Sequence, residues 1–231
     1  MEYKDSAATE GGQRERLAAY FLAAPPYEEQ TPAERQDYLA HLRQLGELDD
    51  REVLQAVGAP RPLVWGNPVG LIQGLLTAAQ RLAAGIGQPL LIFPAREAVI
   101  DFETLLHPRL LGLAIVGLLR AACLASPKSP VWVRLQEQQH CLSVTLRANA
   151  PIEEPTALAV AKESARLHGG SLALCDHSVA FSCGRLTSPP LDAHPYRCPT
   201  AEELLRDTLS AVWTGFYSRL PSSSCEEDSS D

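Results

Sequence analysis

The chain has no CxxC pair, and its histidines and cysteines do not fall at zinc-finger spacing. Its six cysteines, Cys123, Cys141, Cys175, Cys183, Cys198 and Cys225, read as reduced, mostly buried thiols of a cytoplasmic protein. His140 and Cys141 are adjacent, but neighbours on a strand point to opposite faces, which excludes a catalytic dyad. There is no G-x-S-x-G, Walker loop, H-E-x-x-H or Rossmann glycine fingerprint, so none of those chemistries has its sequence carrier. No N-terminal stretch joins a basic start to an apolar run, so no signal peptide is expected. The most apolar run, LLGLAIVGLLRAACLA (110–125), is too short for a bilayer and carries Arg120. Positive charge is also short: 20 Lys and Arg against 28 Asp and Glu, a net charge of −8. That balance disfavours nucleic acid as a partner.

What is present is a chain of 231 residues, 45% hydrophobic, enough for a real core. Residues 1–12 are polar and expected to be disordered. A helix is predicted at 13–24, stopped by Pro25-Pro26. A second starts with Thr31 as cap, Pro32 at the first helical position and Glu34 completing a capping box. Asp49-Asp50 is expected to cap a further short helix to about Val57, and GAPRP (58–62) reads as a linker. The helical region is thus 13–60, a candidate remnant of a dimerisation bundle.

The second part is of a different kind. An apolar helix at 68–85 precedes a short strand, LLIF (90–93), and a long buried helix at 106–125. VWVRL (131–135) and CLSVTL (141–146) read as a hairpin around a QEQQ loop. A helix at 155–167 stops at Gly169-Gly170. SLAL and VAFSCGRL form a second hairpin turning at Asp176-His177. A linker and one C-terminal helix, about 200–219, occupy 187–220, and 221–231 is an acidic tail expected to be disordered. The order implies an α+β, two-layer sandwich: a mixed, mostly antiparallel sheet packed on helices, preceded by a small helical region.

The stretches KESARLHGGSLAL and HPRLLGLAIVGLLRAA, with the hairpin between them, carry a resemblance. They are similar to the ATPase domain of bacterial sensor histidine kinases, which belong to a wider group that includes gyrase B and Hsp90. The resemblance covers 62–186. The C-terminal DTLSAVWTGFYSRLP also resembles kinase-like proteins of clostridial type.

The resemblance implies an ATP and Mg²⁺ site, and the matching positions lack its chemistry. The magnesium-holding N-L-L-x-N-A pattern aligns with Gly117 to Ala122, so Gly117 and Ala121 replace the asparagines. Neither carries the oxygen that Mg²⁺ requires. Arg120, between them, is expected to face solvent. The adenine-reading D-x-G-x-G aligns with Ala148, Asn149, Ala150, Pro151 and Ile152. Ala148 removes the acceptor, Asn149 replaces it only by a shift of register, and Ala150 adds a side chain near the base. Only Glu153 and Glu154, read as solvated loop carboxylates, stand where a lid belongs. Pro155 and Ala157 occupy glycine positions whose backbone amides would approach phosphate. Lys162, further along that helix, would line the former cleft with Arg120 and Asn149 if the cleft were still open.

In one subgroup of these kinases the phosphoacceptor helix reads H-D-Y/F-x-x-H-L. Residues 36–42 here are QDYLAHL, with Gln36 at the phosphorylated position and His41 at the second histidine. His107 reads as the start of a helix. The resemblance thus implies a non-catalytic kinase-like protein without cofactor, bound to a response regulator or a true kinase. A weak ATP-binding kinase and a phosphotransfer protein using His41 are the alternatives. The apolar helix 68–85 requires burial, either by pairing in a homodimer or inside the ATPase-like domain.

Overall fold

The computed structural model describes residues 3–93, 103–138, 141–186 and 195–221. The acidic tail beyond Pro221, His140 and much of the proline-rich segment lie outside the described residues. Helix α1 (Tyr3–Ala23) begins ten residues before the expected start and takes in the polar N-terminal residues. Ala, Glu, Arg and Leu are strong helix formers and carry the helix across Gly11-Gly12. Helix α2 (Pro32–Gln55) opens with the predicted box: Glu34 accepts the Thr31 N–H at 2.8 Å, and Thr31 Oγ1 accepts the Glu34 N–H. It then runs through Asp49-Asp50 without a break. The two carboxylates are not caps. Asp49 accepts from Arg14 and Arg109, and Asp50 from Arg219. These distant guanidiniums take up the charge and let the helix continue.

The 58–62 segment is not a loose linker. Arg61 donates to the Val53 and Ala56 carbonyls at 2.9 and 3.0 Å, closing the end of α2. Strand β1 (Val64–Gly66) follows and pairs antiparallel with β3 (Thr104–Leu106), a two-stranded ribbon without a sequence signal. Helix α3 (Pro68–Gly85) is capped by Asn67, whose Oδ1 accepts the Val69 N–H at 2.8 Å. Val69, Leu71, Ile72, Leu75 and Leu76 are buried in the main core, so the domain itself covers this helix.

The main sheet has strand order β2-β4-β5-β7-β6. Strand β2 (Leu90–Phe93) runs parallel to β4 (Val131–Gln138), which absorbs most of the expected QEQQ loop. Strands β5 (Cys141–Arg147), β7 (Ser178–Gly184) and β6 (Leu172–Cys175) complete the sheet, all antiparallel. Along β5 and β7 buried and half-buried positions alternate, the period of a sheet covered on one face. Helices α4 (Pro108–Leu124) and α5 (Pro155–Leu167) join α3 over that face, and their apolar residues merge with those of the strands in one core. The α+β sandwich is therefore the architecture. No described helix is long and apolar enough to cross a membrane.

The C-terminal part is broken rather than one helix. Helix α6 (Ala201–Arg206) ends at Asp207, whose side chain accepts the Leu209 N–H at 3.0 Å and turns the chain. A π-helical turn (Val212–Phe216) and a 3-10 turn (Tyr217–Arg219) follow. Val212, Phe216 and Leu220 enter the main core, and Trp213 packs with Tyr38 and Leu42 of α2. Gly46 permits this approach: a Cβ there would lie 2.3 Å from the Thr214 carbonyl oxygen.

Candidate functional site

Helix α4 has almost no solvent face; its residues from Leu110 to Cys123 are all buried. Arg120 sits within that run and is 2% exposed. It therefore points inward, contrary to the solvent-facing expectation, because packing on every side leaves it no route to water. A buried guanidinium requires partners. Its Nε donates to Glu154 Oε2 at 3.0 Å, its Nη2 donates to Glu154 Oε1, and its Nη1 donates to the Gly215 carbonyl. Glu154 is thus no solvated loop carboxylate: its side chain is 22% exposed and clamped in a two-pronged ion pair.

The pair belongs to a larger network. Asp50 Oδ2 lies 3.9 Å from Arg120 Nη2 and accepts from Arg219 Nη1. Arg219 is also 3.8 Å from Glu154. Two carboxylates and two guanidiniums balance formally in one buried cluster. Burial raises the Asp50 pKa, and the two arginines oppose that shift. The cluster draws on α2, α4, the loop before α5 and the C-terminal turn.

Around it, the positions that align with the nucleotide motifs of the histidine kinases split into two groups. Gly117, Ala121 and Ala157 are buried, the first on α4 facing the last on α5. A Cβ placed on Gly117 would meet Ala157 Cβ at 3.4 Å, so the helices touch directly there. Ala148 is also buried, its N–H donating to the His177 carbonyl at 2.8 Å. Asn149 and Lys162 are exposed and are not brought to the cluster. The Asn149 N–H donates to Ser126 Oγ at 2.6 Å. Ala150 is half-buried, and Pro155 is exposed at the first turn of α5. The residues present do not fit a magnesium nucleotide. Gly117 and Ala121 offer no oxygen, Ala148 offers no acceptor, and Arg120 engages the nearby Glu154 carboxylate. Among the described residues no group of three or more His, Cys, Asp or Glu side chains is placed to hold a metal.

The HGG motif has a structural role. His168, at the end of α5, is 4% exposed. Its Nδ1 donates to the Ser164 carbonyl at 2.7 Å, and its Nε2 accepts the His107 N–H at 3.0 Å. This joins the end of α5 to the start of α4. His107 caps α4, its Nδ1 accepting the Leu110 N–H at 3.1 Å. Glu163 of α5 accepts from Arg166 at 2.9 Å and lies 3.9 Å from Arg61.

The candidate phosphoacceptor region lies apart. Gln36 is exposed. His41 is half-buried and stacks on Tyr20, with ring centroids 3.9 Å apart. Its Nδ1 donates to the Asp37 carbonyl at 2.7 Å. It lines a groove of about 290 Å³ between α1 and α2 with Gln13, Arg16, Leu17 and Gln44.

Sequence reasoning missed Asp50 and Arg219. Their only signal was the positions themselves, 169 residues apart and without a motif.

A comparison of the whole architecture decides the fold. Histidine kinase AdeS of Acinetobacter baumannii superposes on 81% of this chain and 98% of its own, with TM-score 0.50 and 11% identity. The fold is that of a histidine kinase. The cytoplasmic segment of histidine kinase QseC matches 63% of this chain and 94% of its own, at TM-score 0.47 and 17% identity. The catalytic domain of histidine kinase ThkA matches 54% of this chain and 99% of its own, at TM-score 0.45 and 11% identity. No protein-family model and no curated protein matches the sequence.

Proposed function

We propose that this histidine-kinase-like chain is non-catalytic, has lost nucleotide binding, and acts through protein contacts in two-component-type signalling. One observation carries the reading. Where the kinase fold would hold magnesium and triphosphate, this chain sets its own Arg120 against Glu154 and packs Gly117 on Ala157. A triphosphate entering there would meet the Glu154 carboxylate and displace a buried ion pair. The partner is a response regulator or a true kinase in the cytoplasm, met through the helical N-terminal half. Homodimerisation through the same helices is compatible with this reading.

Titration calorimetry with Mg-ATP and Mg-ADP at millimolar concentration tests it, with thermal unfolding alongside. No heat and an unchanged midpoint are expected, since a ligand of the folded state alone raises its stability. Micromolar binding would overturn the proposal.

One observation favours a second reading, phosphotransfer through His41. With Nδ1 donating to the Asp37 carbonyl, Nε2 is the ring nitrogen left for a phosphoryl group, and Arg16 lines the same groove. Incubation with a small phosphoramidate, followed by mass spectrometry of the α2 peptide, checks this. Phosphate on His41 supports it, and an unmodified His41 rejects it.

A further inference from the structure

The outer face of the main sheet, turned away from the helices, differs in charge from the rest of the chain. In this chain of net charge −8, the described strand positions on that face carry no carboxylate. They carry two arginines, Arg134 and Arg147, both exposed. Neither has an ion-pair partner among the described residues.

The strand register places these cations. Arg147 of β5 lies directly opposite Trp132 of β4, and Arg134 is two residues further along β4. Such a diagonal pair stands about 7–8 Å apart. On the other side, β2 sets Leu91 beside Trp132 and Phe93 beside Arg134. Leu91 is 41% exposed and Phe93 50%. Among the described residues the face therefore offers two positive charges without a counter-charge, flanked by an apolar ridge. Like charges held this close on one sheet face repel, and a counter-charge removes the penalty.

We propose that this face binds an acidic, extended protein segment with two carboxylates two residues apart and an apolar side chain next in the alternation. In an extended chain, same-side residues repeat about every 6.8 Å, close to the arginine separation. Carboxylates at successive same-side positions then meet Arg134 and Arg147, and the following apolar side chain covers Phe93 and Leu91. Pairing of opposite charges sets register, and the apolar contact adds buried area. The inference rests on the outer face alone, so it stands or falls separately from the loss of nucleotide binding.

The test is an amide NMR titration of the full chain. The probe is a peptide in which Asp, Asp and Leu alternate with serine. Controls are the same peptide with Asn for Asp, and a decamer of uridylate. Expected are shifts confined to β2, β4 and β5 with the acidic peptide, and far weaker ones with the Asn peptide. The R134E/R147E double variant should weaken binding at least about tenfold while keeping the wild-type unfolding midpoint. No shifts at millimolar peptide, equal binding of the Asn peptide, or an unaffected double variant would each overturn the proposal. Tighter binding of the uridylate would reassign the face to single-stranded nucleic acid and overturn it equally.

Discussion

His107 and His168 are joined through one hydrogen bond, from the backbone N–H of the first to Nε2 of the second, at 3.0 Å. The bond needs an unprotonated Nε2. Burial holds His168 below the ordinary value of 6.5, with Ser164 opposing and His107 adding to the shift. Burial also lowers His107, assisted by Arg61. Both folded-state pKa values lie below the unfolded ones. Below about pH 6.5 the native state therefore binds fewer protons than the unfolded chain, and stability rises with pH there.

The expected outcome is a thermal midpoint with its full histidine contribution above about pH 6.5, lost as pH falls through the lowered pKa values. The H168Q variant, whose side-chain carbonyl can accept the same N–H, should show a shallower decline between about pH 6.5 and 5. Circular dichroism melts across that range check it. Identical slopes in both proteins would mean His168 does not carry the dependence.

Removing Arg120 should be costly. R120A strands Glu154 and part of the Asp50 charge in the interior, a loss of about 3–5 kcal/mol. The double variant R120M/E154Q removes both charges of the pair and should be more stable than R120A. Urea unfolding of wild type, R120M, E154Q and R120M/E154Q measures the coupling. Additive losses would show that the two side chains act independently.

At Gly46 the constraint is space. G46A drives a methyl group into the Thr214 carbonyl, 2.3 Å from the ideal Cβ position. The expected cost is about 1–3 kcal/mol. A changed Trp213 emission should accompany it, since that ring packs on α2 beside the same turn. A midpoint within error of wild type would show that α2 and the turn can part freely.

Thiol reactivity should sort by burial. Burial pushes the Cys123 and Cys183 thiols up to about 12, leaving almost no thiolate at pH 8. Cys175 is exposed on the edge strand β6. Brief iodoacetamide treatment of the native protein, read by peptide mass spectrometry, should modify Cys175 and spare the other two. Rapid labelling of Cys183 would contradict its place in the core.

Much of the sheet and its covering helices was legible because each element is long enough to show its period. The alternation in CLSVTL, the apolar wheel of α4 and the stop at Gly169-Gly170 are local signals. The β1–β3 ribbon has three residues a side, too few to show alternation. Asp49-Asp50 looked like a cap because their arginine partners lie far away in the chain. The break at Asp207 depends on one side chain turning back on its own backbone, which competes closely with helix continuation. In the candidate site, Gly117, Ala121 and Ala157 announced themselves through the residue types they replace. The orientation of Arg120 did not, because it follows from three segments that periodicity along α4 cannot place.

The Asp50–Arg120–Glu154–Arg219 cluster also bears on how the chain can be divided. A fragment of residues 62–186 would match the extent of an ATPase domain. It would keep Arg120 and Glu154 but lose Asp50, Arg219 and the Gly215 carbonyl. An interior polar group would then face an empty seam along α4 where α2 and the turns at 212–219 now lie. Helix α2 and the turns at 212–219 are thus no appendages to the sandwich. They are two halves of the wall that encloses Arg120, so a piece that folds must carry both.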